Sequence, residues 1–285
     1  MSLDQVRRNY AEKIRATSGL RSEALFRGFA SVPREAFVGP GPWKLLRPPD
    51  VWRYEVTPDD DPRHLYESVV VALDAGRGLN NGEPASLARW LDSLDLAPGD
   101  YVLHIGCGVG YYTAIVAEAV SPGGRVVGVE VDPDLAERAR RNLIPWPGAT
   151  VVCANGCELE AEPFDVIFVN AGTPEVLPNW LTSLRVEGRL LVPLTVDVRM
   201  PNVGLGHMLL VVRRANVYAA RFVSPVGIFH CVGARTAEGN DLLKDAFQRG
   251  GHEQVRSLRA EDHPSDPQCW LHARRFCLSR LAAET

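Results

Sequence analysis

A chain of 285 residues, 46% hydrophobic and 23% charged, is long enough to bury a sizeable core and lies near globular averages. Its formal net charge of -4 provides no general attraction to phosphate backbones or anionic membranes, so neither nucleic acid nor a membrane surface is an expected partner. No stretch approaches the roughly 20 consecutive apolar residues of a membrane span, and the opening MSLDQVRRNYAEK lacks the apolar run of a secretory signal, which leads us to expect a cytoplasmic protein.

Along the chain, Leu3, Val6, Tyr10 and Ile14 recur at helical spacing. Leu25, Phe26, Phe29 and Val32 follow a candidate N-cap at Ser22 and stop before Pro33, which predicts a second helix. From Gly39 to Pro62 the sequence GPGPWKLLRPPDVWRYEVTPDDDP reads as an irregular segment, whose tryptophans argue that it packs onto something. A helix over Pro84 to Leu94 and a turn at Pro98-Gly99 lead into a short apolar strand, Tyr101 to Ile105. Strand and helix then alternate. Strands are predicted at 125–130, 150–154, 164–170 and 189–194, with helices at 133–143 and 178–184, each of which opens on a proline at its first turn. Such alternation argues for βαβ units and a parallel sheet covered on both faces. Residues 208–213 and 218–223 read as an antiparallel hairpin, and the polar stretch from about Glu238 to Thr285, broken at EDHPSDP, as a helical appendage.

The six cysteines, Cys107, Cys153, Cys157, Cys231, Cys269 and Cys277, are spread too thinly for a disulfide framework, so free thiols are expected. Cys153 and Cys157 are four apart and Cys269 and His272 three apart. Neither pair belongs to the doubled CxxC arrangement that would complete a tetrahedral zinc site, and no metal is expected.

The strongest signal is VLHIGCGVGYYTAIVAE, a strand ending at Ile105, glycines at Gly106, Gly108 and Gly110, and a helix directly after. Glycines permit the tight turn and let backbone N–H groups approach a ligand at a helix N-terminus. A dinucleotide fingerprint would need its third glycine at position 111, where Tyr111 stands. The GxGxG spacing, with Glu130 closing the next strand 20 residues after Gly110, favours a nucleoside cofactor without a pyrophosphate. S-adenosyl-L-methionine fits, with the Glu130 carboxylate accepting both ribose hydroxyl protons. A glycine turn beside a surface acid, with no ligand, is the competing structural explanation.

The flanking sequence on both sides of that loop resembles the protein-L-isoaspartate O-methyltransferase family. FASVPREAFV looks like the family's VPRExFV element, and PFDVIFVNAGTPEVLPNWLTSLRVEGRLLVPL resembles its fourth strand, AxxP turn and GGRL strand. The resemblance covers most of residues 20–235. It implies a Rossmann-like α/β class I methyltransferase fold with a mostly parallel seven-stranded sheet and a reversed terminal strand. The division that follows is a helical and irregular N-terminal cap at 1–74, a methyltransferase core at 75–236 and a C-terminal helical extension at 237–285. The implied activity is methyl transfer from S-adenosyl-L-methionine to a carboxylate of a protein or peptide, isoaspartyl or related. A small-molecule O- or N-methyltransferase, and an inactive cofactor-binding interaction module, are the alternatives.

Residue by residue, the resemblance assigns Gly106, Gly108 and Gly110 to the cofactor loop and Glu130 to the ribose. Asn155-Gly156 replaces the family's Asp-Gly pair beside the adenine, and an amide can still hydrogen-bond an adenine edge. Asn170, at the end of the fourth strand, faces the end of the sheet where ligands bind in such folds. The substrate side departs from the pattern. Where the family carries a GxGQTISQP-like segment this chain reads GRGLNNGEP, so the family's functional serine falls on Gly82 and its glutamine on Glu83. Asn80, Asn81, Gly82 and Glu83 are therefore the substrate-loop candidates, against the reading that this loop only turns the chain. His104 could touch the cofactor through water, but reads better as a packed strand histidine. His230, in the altered GIFHCVGART segment, is either pocket lining or core. An ionised carboxylate acceptor, with an ordinary pKa of about 4, needs no general base, so no catalytic acid or base is assigned.

Overall fold

The computed structural model describes all residues except 48, 49, 160, 161, 216, 284 and 285, and the side chains of 50–52. In chain order, helices α1 (Leu3–Ser18), α2 (Glu23–Ser31) and α3 (Glu35–Val38) precede strands β1 (Lys44–Arg47), β2 (Asp50–Val56), β3 (Val70–Asp74) and β4 (Leu79–Asn80). Then follow α4 (Pro84–Asp92), β5 (Tyr101–Ile105), α5 (Tyr111–Ala119), β6 (Arg125–Glu130), α6 (Pro133–Asn142), β7 (Ala149–Cys153), β8 (Phe164–Val169) and α7 (Pro178–Thr182). The long strands β9 (Leu184–Asp197), β10 (Val203–Arg214) and β11 (Val217–Phe229) lead to α8 (Ala237–Arg249) and three short strands, β12 (Ser257–Arg259), β13 (Cys269–His272) and β14 (Cys277–Ser279). The chain forms two compact units, one of residues 1–99, 107–128 and 132–153, the other of 100–106, 129–131 and 154–285.

In the first unit Ser22 caps α2 as predicted, and Ser2, which carried no such prediction, caps α1. Ser2 accepts the Gln5 N–H and Ser22 the Leu25 N–H, satisfying donors that the helices cannot satisfy internally. The segment expected to be irregular, Gly39 to Pro62, instead contributes β1 and β2 to a four-stranded sheet in the order β2-β1-β3-β4. Its hydrophobic side explains why. Val38, Trp43, Leu45, Leu65, Val69 and Val71 are buried together, and Leu45 is the register partner of Val71. Trp43 thus packs as expected, while the Trp52 side chain lies outside the described residues.

Arg34 of the VPREAFV motif is fully buried in this unit. Its guanidinium donates to the carbonyls of Leu65 (2.8 Å), Glu67 (3.2 Å) and Val69 (2.7 Å). It also lies 5.9 Å from the centre of the Tyr111 ring. Tyr66 belongs to the same network: its hydroxyl accepts from the Arg34 N–H and the Arg7 Nε and donates to Glu35.

The sheet that enters the second unit has the order β13-β14-β12-β11-β10-β9-β8-β5-β6-β7. Strands β5, β8 and β9 run parallel, and β10 reverses against β9. The predicted hairpin is present, and longer than its hydrophobic runs suggested, since β10 and β11 pair from Val203↔Phe229 to Arg214↔Val217. Two expectations need correction. The sheet contains ten strands among the described residues, not seven, and is mixed rather than mostly parallel. The C-terminal stretch, expected to be helical, is one helix followed by three antiparallel strands, of which β12 pairs with β11, β14 with β12 and β13 with β14. Aromatic packing holds it there: Phe247 of α8 contacts His207 of β10, Phe222 of β11 and Trp270 of β13 at centroid distances of 5.3, 5.9 and 5.3 Å.

Replacing Arg34 by leucine removes the donors of three carbonyls at once around a fully buried side chain. We expect a loss of about 3–5 kcal/mol in urea unfolding, the range for breaking a buried charged network. A loss below about 1 kcal/mol would show that the network is not structural.

Candidate functional site

In the second unit the site is assembled from the ends of three strands. Ile105 ends β5, and the next residue, Gly106, turns with φ +74° while its N–H donates to Val129 O of β6 at 2.8 Å. Glu130 is the following residue of β6 and is buried. Its carbonyl accepts the Ala154 N–H at 3.1 Å, which ties β6 to the turn after β7. From β8, the Asn170 N–H donates to Ile105 O at 2.8 Å and its amide reaches Gly106 O at 3.4 Å. A Cβ on Gly106 would lie 3.1 Å from Asn170 O, so close approach of two backbones, as well as a left-handed turn, requires glycine here.

The Asn155-Gly156 turn follows. The Asn155 carbonyl oxygen accepts the Cys157 N–H at 3.1 Å and its NH₂ donates to Glu158 at 2.9 Å, so much of the amide is spent closing its own turn. Gly156 is buried, its carbonyl accepts from the Trp180 indole at 2.9 Å, and a Cβ there would come within 2.5 Å of Ile105. The structure therefore brings Gly106, Glu130, Asn155, Gly156 and Asn170 together at one end of this unit's strands.

The rest of the glycine loop belongs to the first unit. Gly110 is the N-cap of α5 with φ +88°, and a Cβ on it would meet Leu143 at 3.0 Å. Gly108, with φ +56°, differs: apart from its chain neighbours, nothing among the described residues lies within 4 Å of the Cβ position, so no packing contact among them requires its bareness. The Asn142 amide fixes the loop between them by donating to Val109 O at 2.9 Å. Tyr111 is fully buried and packs edge-on against Phe37 at 5.5 Å, a core role at the position where a dinucleotide loop would need glycine.

Of the substrate-loop candidates, two have their polar groups consumed by the fold. The Asn80 carbonyl oxygen accepts from the Tyr54 hydroxyl at 2.6 Å, and its NH₂ donates to Gly78 O at 2.7 Å. Glu83 caps α4, accepting the N–H groups of Ala85 (3.1 Å) and Ser86 (2.8 Å) and the Ser68 hydroxyl. Glu83 thus caps α4 with both carboxylate oxygens. Gly82 turns with φ +70°, and a Cβ there would lie 3.0 Å from Leu87. Asn81 is the exception. Its backbone is anchored to Val71 O at 2.8 Å, while its side-chain NH₂ is buried without a partner among the described residues.

The two histidines fall on different sides of the choice left open. His104 is fully buried and stacked on Phe168 at 4.9 Å, and burial pushes its pKa down to about 3, so it is a neutral core residue. His230 is half-buried with Nε2 3.4 Å from Asp197, and burial and the Arg235 guanidinium hold its pKa below the ordinary value. All six cysteines are free, and among the described residues no helix is long and apolar enough to cross a membrane.

Residues 50–205 match the family model described as protein-L-isoaspartate(D-aspartate) O-methyltransferase (PCMT). The protein-L-isoaspartate O-methyltransferase 2 of Archaeoglobus fulgidus is 31% identical over 204 residues, which cover 70% of this chain and 83% of the relative. That of Methanococcus aeolicus is 35% identical over 151 residues, 52% of this chain and 69% of the relative. A solved protein-L-isoaspartate O-methyltransferase superposes with a TM-score of 0.63 at 23% identity, covering 85% of this chain and 69% of that one. A Plasmodium falciparum beta-aspartate methyltransferase in complex with S-adenosyl-L-homocysteine gives a TM-score of 0.59 at 16% identity, covering 79% and 97%. These two structures support the Rossmann-like methyltransferase fold.

The buried imidazole generates a pH prediction. Unfolded, His104 titrates near 6.5; folded, it does so at about 3, so below pH 6.5 the unfolded chain binds the extra proton. Its share of stability is complete above pH 6.5 and falls as the pH drops towards 3, by about 2 kcal/mol between pH 6.5 and 5 at 1.36 kcal/mol per unit. His104→Leu should flatten the stability-against-pH curve in that window by this amount. Parallel curves for the two proteins would sink the assignment.

Proposed function

The chain belongs to the protein-L-isoaspartate(D-aspartate) O-methyltransferase family, and from that premise we propose that it is an S-adenosyl-L-methionine-dependent carboxyl O-methyltransferase acting on a protein or peptide. We read its workplace as the cytoplasm and its activity as protein modification, on free thiols and a family defined by protein substrates. The observation that carries the reading is the buried carboxylate of Glu130, one residue beyond the carbonyl that receives the Gly106 N–H, inside the stretch that matches the family.

The residues present fit the cofactor. Gly106, Gly108 and Gly110 turn in left-handed conformations at a strand-to-helix junction, and the open space at Gly108 admits a ligand where a side chain would stand. Glu130 would accept the two ribose hydroxyls, Asn155 and Gly156 would border the adenine, and Asn170 would close the strand end. Because the Asn155 amide already closes a turn, its share of adenine recognition rests on whichever lone pair remains.

When bound, S-adenosyl-L-methionine supplies an electrophilic methyl group on a sulfonium, which an ionised carboxylate oxygen can take without first losing a proton. What remains for the protein is to position that oxygen and exclude water, worth several kcal/mol of barrier by orientation alone. No residue needs to serve as base, which agrees with Glu83 being tied up as a helix cap. For the acceptor, the unpartnered NH₂ of Asn81 is the remaining side-chain donor of the four loop candidates, and we assign it to the acceptor carboxylate. The acceptor is an isoaspartyl residue or a related peptide carboxylate. The loss of the loop serine at Gly82 favours a substrate narrower than damaged protein in general.

Labelled methyl transfer to matched peptides, one with L-isoaspartate and one with aspartate at the same position, tests the reading. Label on the isoaspartyl peptide alone, released by mild base as from an ester, is expected for repair-type activity. Label on neither, with cofactor binding confirmed by calorimetry, would remove isoaspartyl repair and leave a dedicated peptide carboxylate, a small-molecule acceptor or an inactive cofactor-binding module.

Asn81→Ala should lower kcat/KM by roughly tenfold or more, the loss of one hydrogen bond to a charged group. Its urea midpoint should change little, because the removed NH₂ has no partner to abandon. An unchanged kcat/KM would remove Asn81 from the acceptor side.

A further inference from the structure

We propose that His263, Cys269, His272 and Cys277 form a tetrahedral zinc site in the C-terminal strands, outside the stretch that matches the family. One ligand atom from each lies within 4.8 Å of all the others. Zn–S bonds of about 2.3 Å and Zn–N bonds of about 2.0–2.1 Å put tetrahedral ligands about 3.3–3.8 Å apart, so closure on a metal needs movements of about 1 Å or less. Two thiolates and two imidazoles are the donor set of structural zinc, and two deprotonated thiols neutralise the ion.

The sequence spacing conceals the site because it is assembled across strands. His272 and Cys277 are register partners in the β13–β14 pair. Cys269 lies three residues before His272, which in a regular strand would put the two on opposite faces. A register shift between Cys269 and Leu271 absorbs one residue and returns both to one face, and Cys269 Sγ then stands 3.9 Å from His272 Nδ1. His263 arrives from the loop before β13 and packs its ring edge-on to His272 at 4.8 Å.

The orientation of His263 is the independent observation. Its Nδ1 lies 2.8 Å from the Pro264 carbonyl, which can only accept, so the ring proton is on Nδ1 and Nε2 carries a lone pair. Nε2 is buried without a hydrogen-bond partner among the described residues. An imidazole held through one nitrogen by a carbonyl, with the other nitrogen turned inward and unsatisfied, has the outer-sphere arrangement of a metal ligand. The cysteine side is prepared in the same way, since the Asp266 N–H donates to Cys269 Sγ at 3.4 Å. Asp266 itself is held by Arg259 at 2.8 Å and the Gln268 N–H at 2.7 Å, and so is not a competing ligand. With four protein donors and no open position, the site is structural: it staples the 263–268 loop to the β13–β14 pair.

Metal analysis of the untagged full chain, expressed with zinc present, is the test. We expect about one zinc per chain, retained by Cys153→Ser and lost by His263→Ala and by Cys277→Ser. Should those variants fail to fold, the wild-type chain still decides: after zinc removal and addition of Co²⁺, a thiolate-to-cobalt charge-transfer band with tetrahedral d–d absorption is expected. Chelation of the zinc form should also lower Tm and expose Cys269 and Cys277 to alkylation, located by mass spectrometry. A metal-free chain that gives no thiolate–cobalt band, or a native Cys269–Cys277 disulfide, would overturn the proposal. These readouts are independent of methyl transfer.

Discussion

A guanidinium sealed from water must find its hydrogen-bond acceptors within the protein, and Arg34 finds them in the carbonyls of Leu65, Glu67 and Val69. The path of residues 65–69 is thereby set by one side chain from a distant motif. The consequences run onward. Ser68 of that segment donates to Glu83 at the start of α4, and β3, which leaves the segment at Val70, anchors Asn81 through the Val71 carbonyl. The loop assigned to the methyl acceptor is positioned by a charge that touches no acceptor itself, which gives the VPREAFV motif a physical role that its sequence alone does not declare.

The features read correctly from sequence are those in which the backbone itself demands a residue type. A strand running into alternating glycines and then a helix needs left-handed φ at Gly106, Gly108 and Gly110, and few other residues adopt it. The cap at Ser22, and the prolines opening α4, α6 and α7, are legible for similar local reasons. What escaped depends on partners remote in sequence. Strands β1 to β4 are short, with prolines beside β1 and β2 and glycines beside β3 and β4, so they carry too few alternations to outweigh the breaker residues. β12 and β14, three residues each, carry none, and exist because β11 offers an edge to β12 and β12 in turn offers one to β14. Glu83 is an unfavoured N-cap type, so its sequence signal was only the proline that follows.

The substrate loop illustrates how a polar residue can be chemically available in sequence and unavailable in the fold. Asn80, Asn81 and Glu83 all offer polar side-chain groups, the asparagines as donors and acceptors and the carboxylate as an acceptor. Tyr54, Gly78 and the first turn of α4 absorb the first and the last, and leave the middle one with a donor to spend. The C-terminal strands show the complementary case, in which residues of no evident pattern converge because a one-residue bulge returns Cys269 and His272 to the same face.

Gly82 also bears on how this loop could change over generations. Its left-handed backbone and the 3.0 Å approach of Leu87 mean that a serine introduced here alone meets both strain and crowding, costing of the order of 1–2 kcal/mol before any hydroxyl can act. The step back towards the family's loop is therefore uphill unless Leu87 or the turn changes first. Order of substitution matters along such a path, and a lineage that has settled on glycine here is held on its side of a small ratchet, free to diversify its acceptor but not to retrace its route one residue at a time.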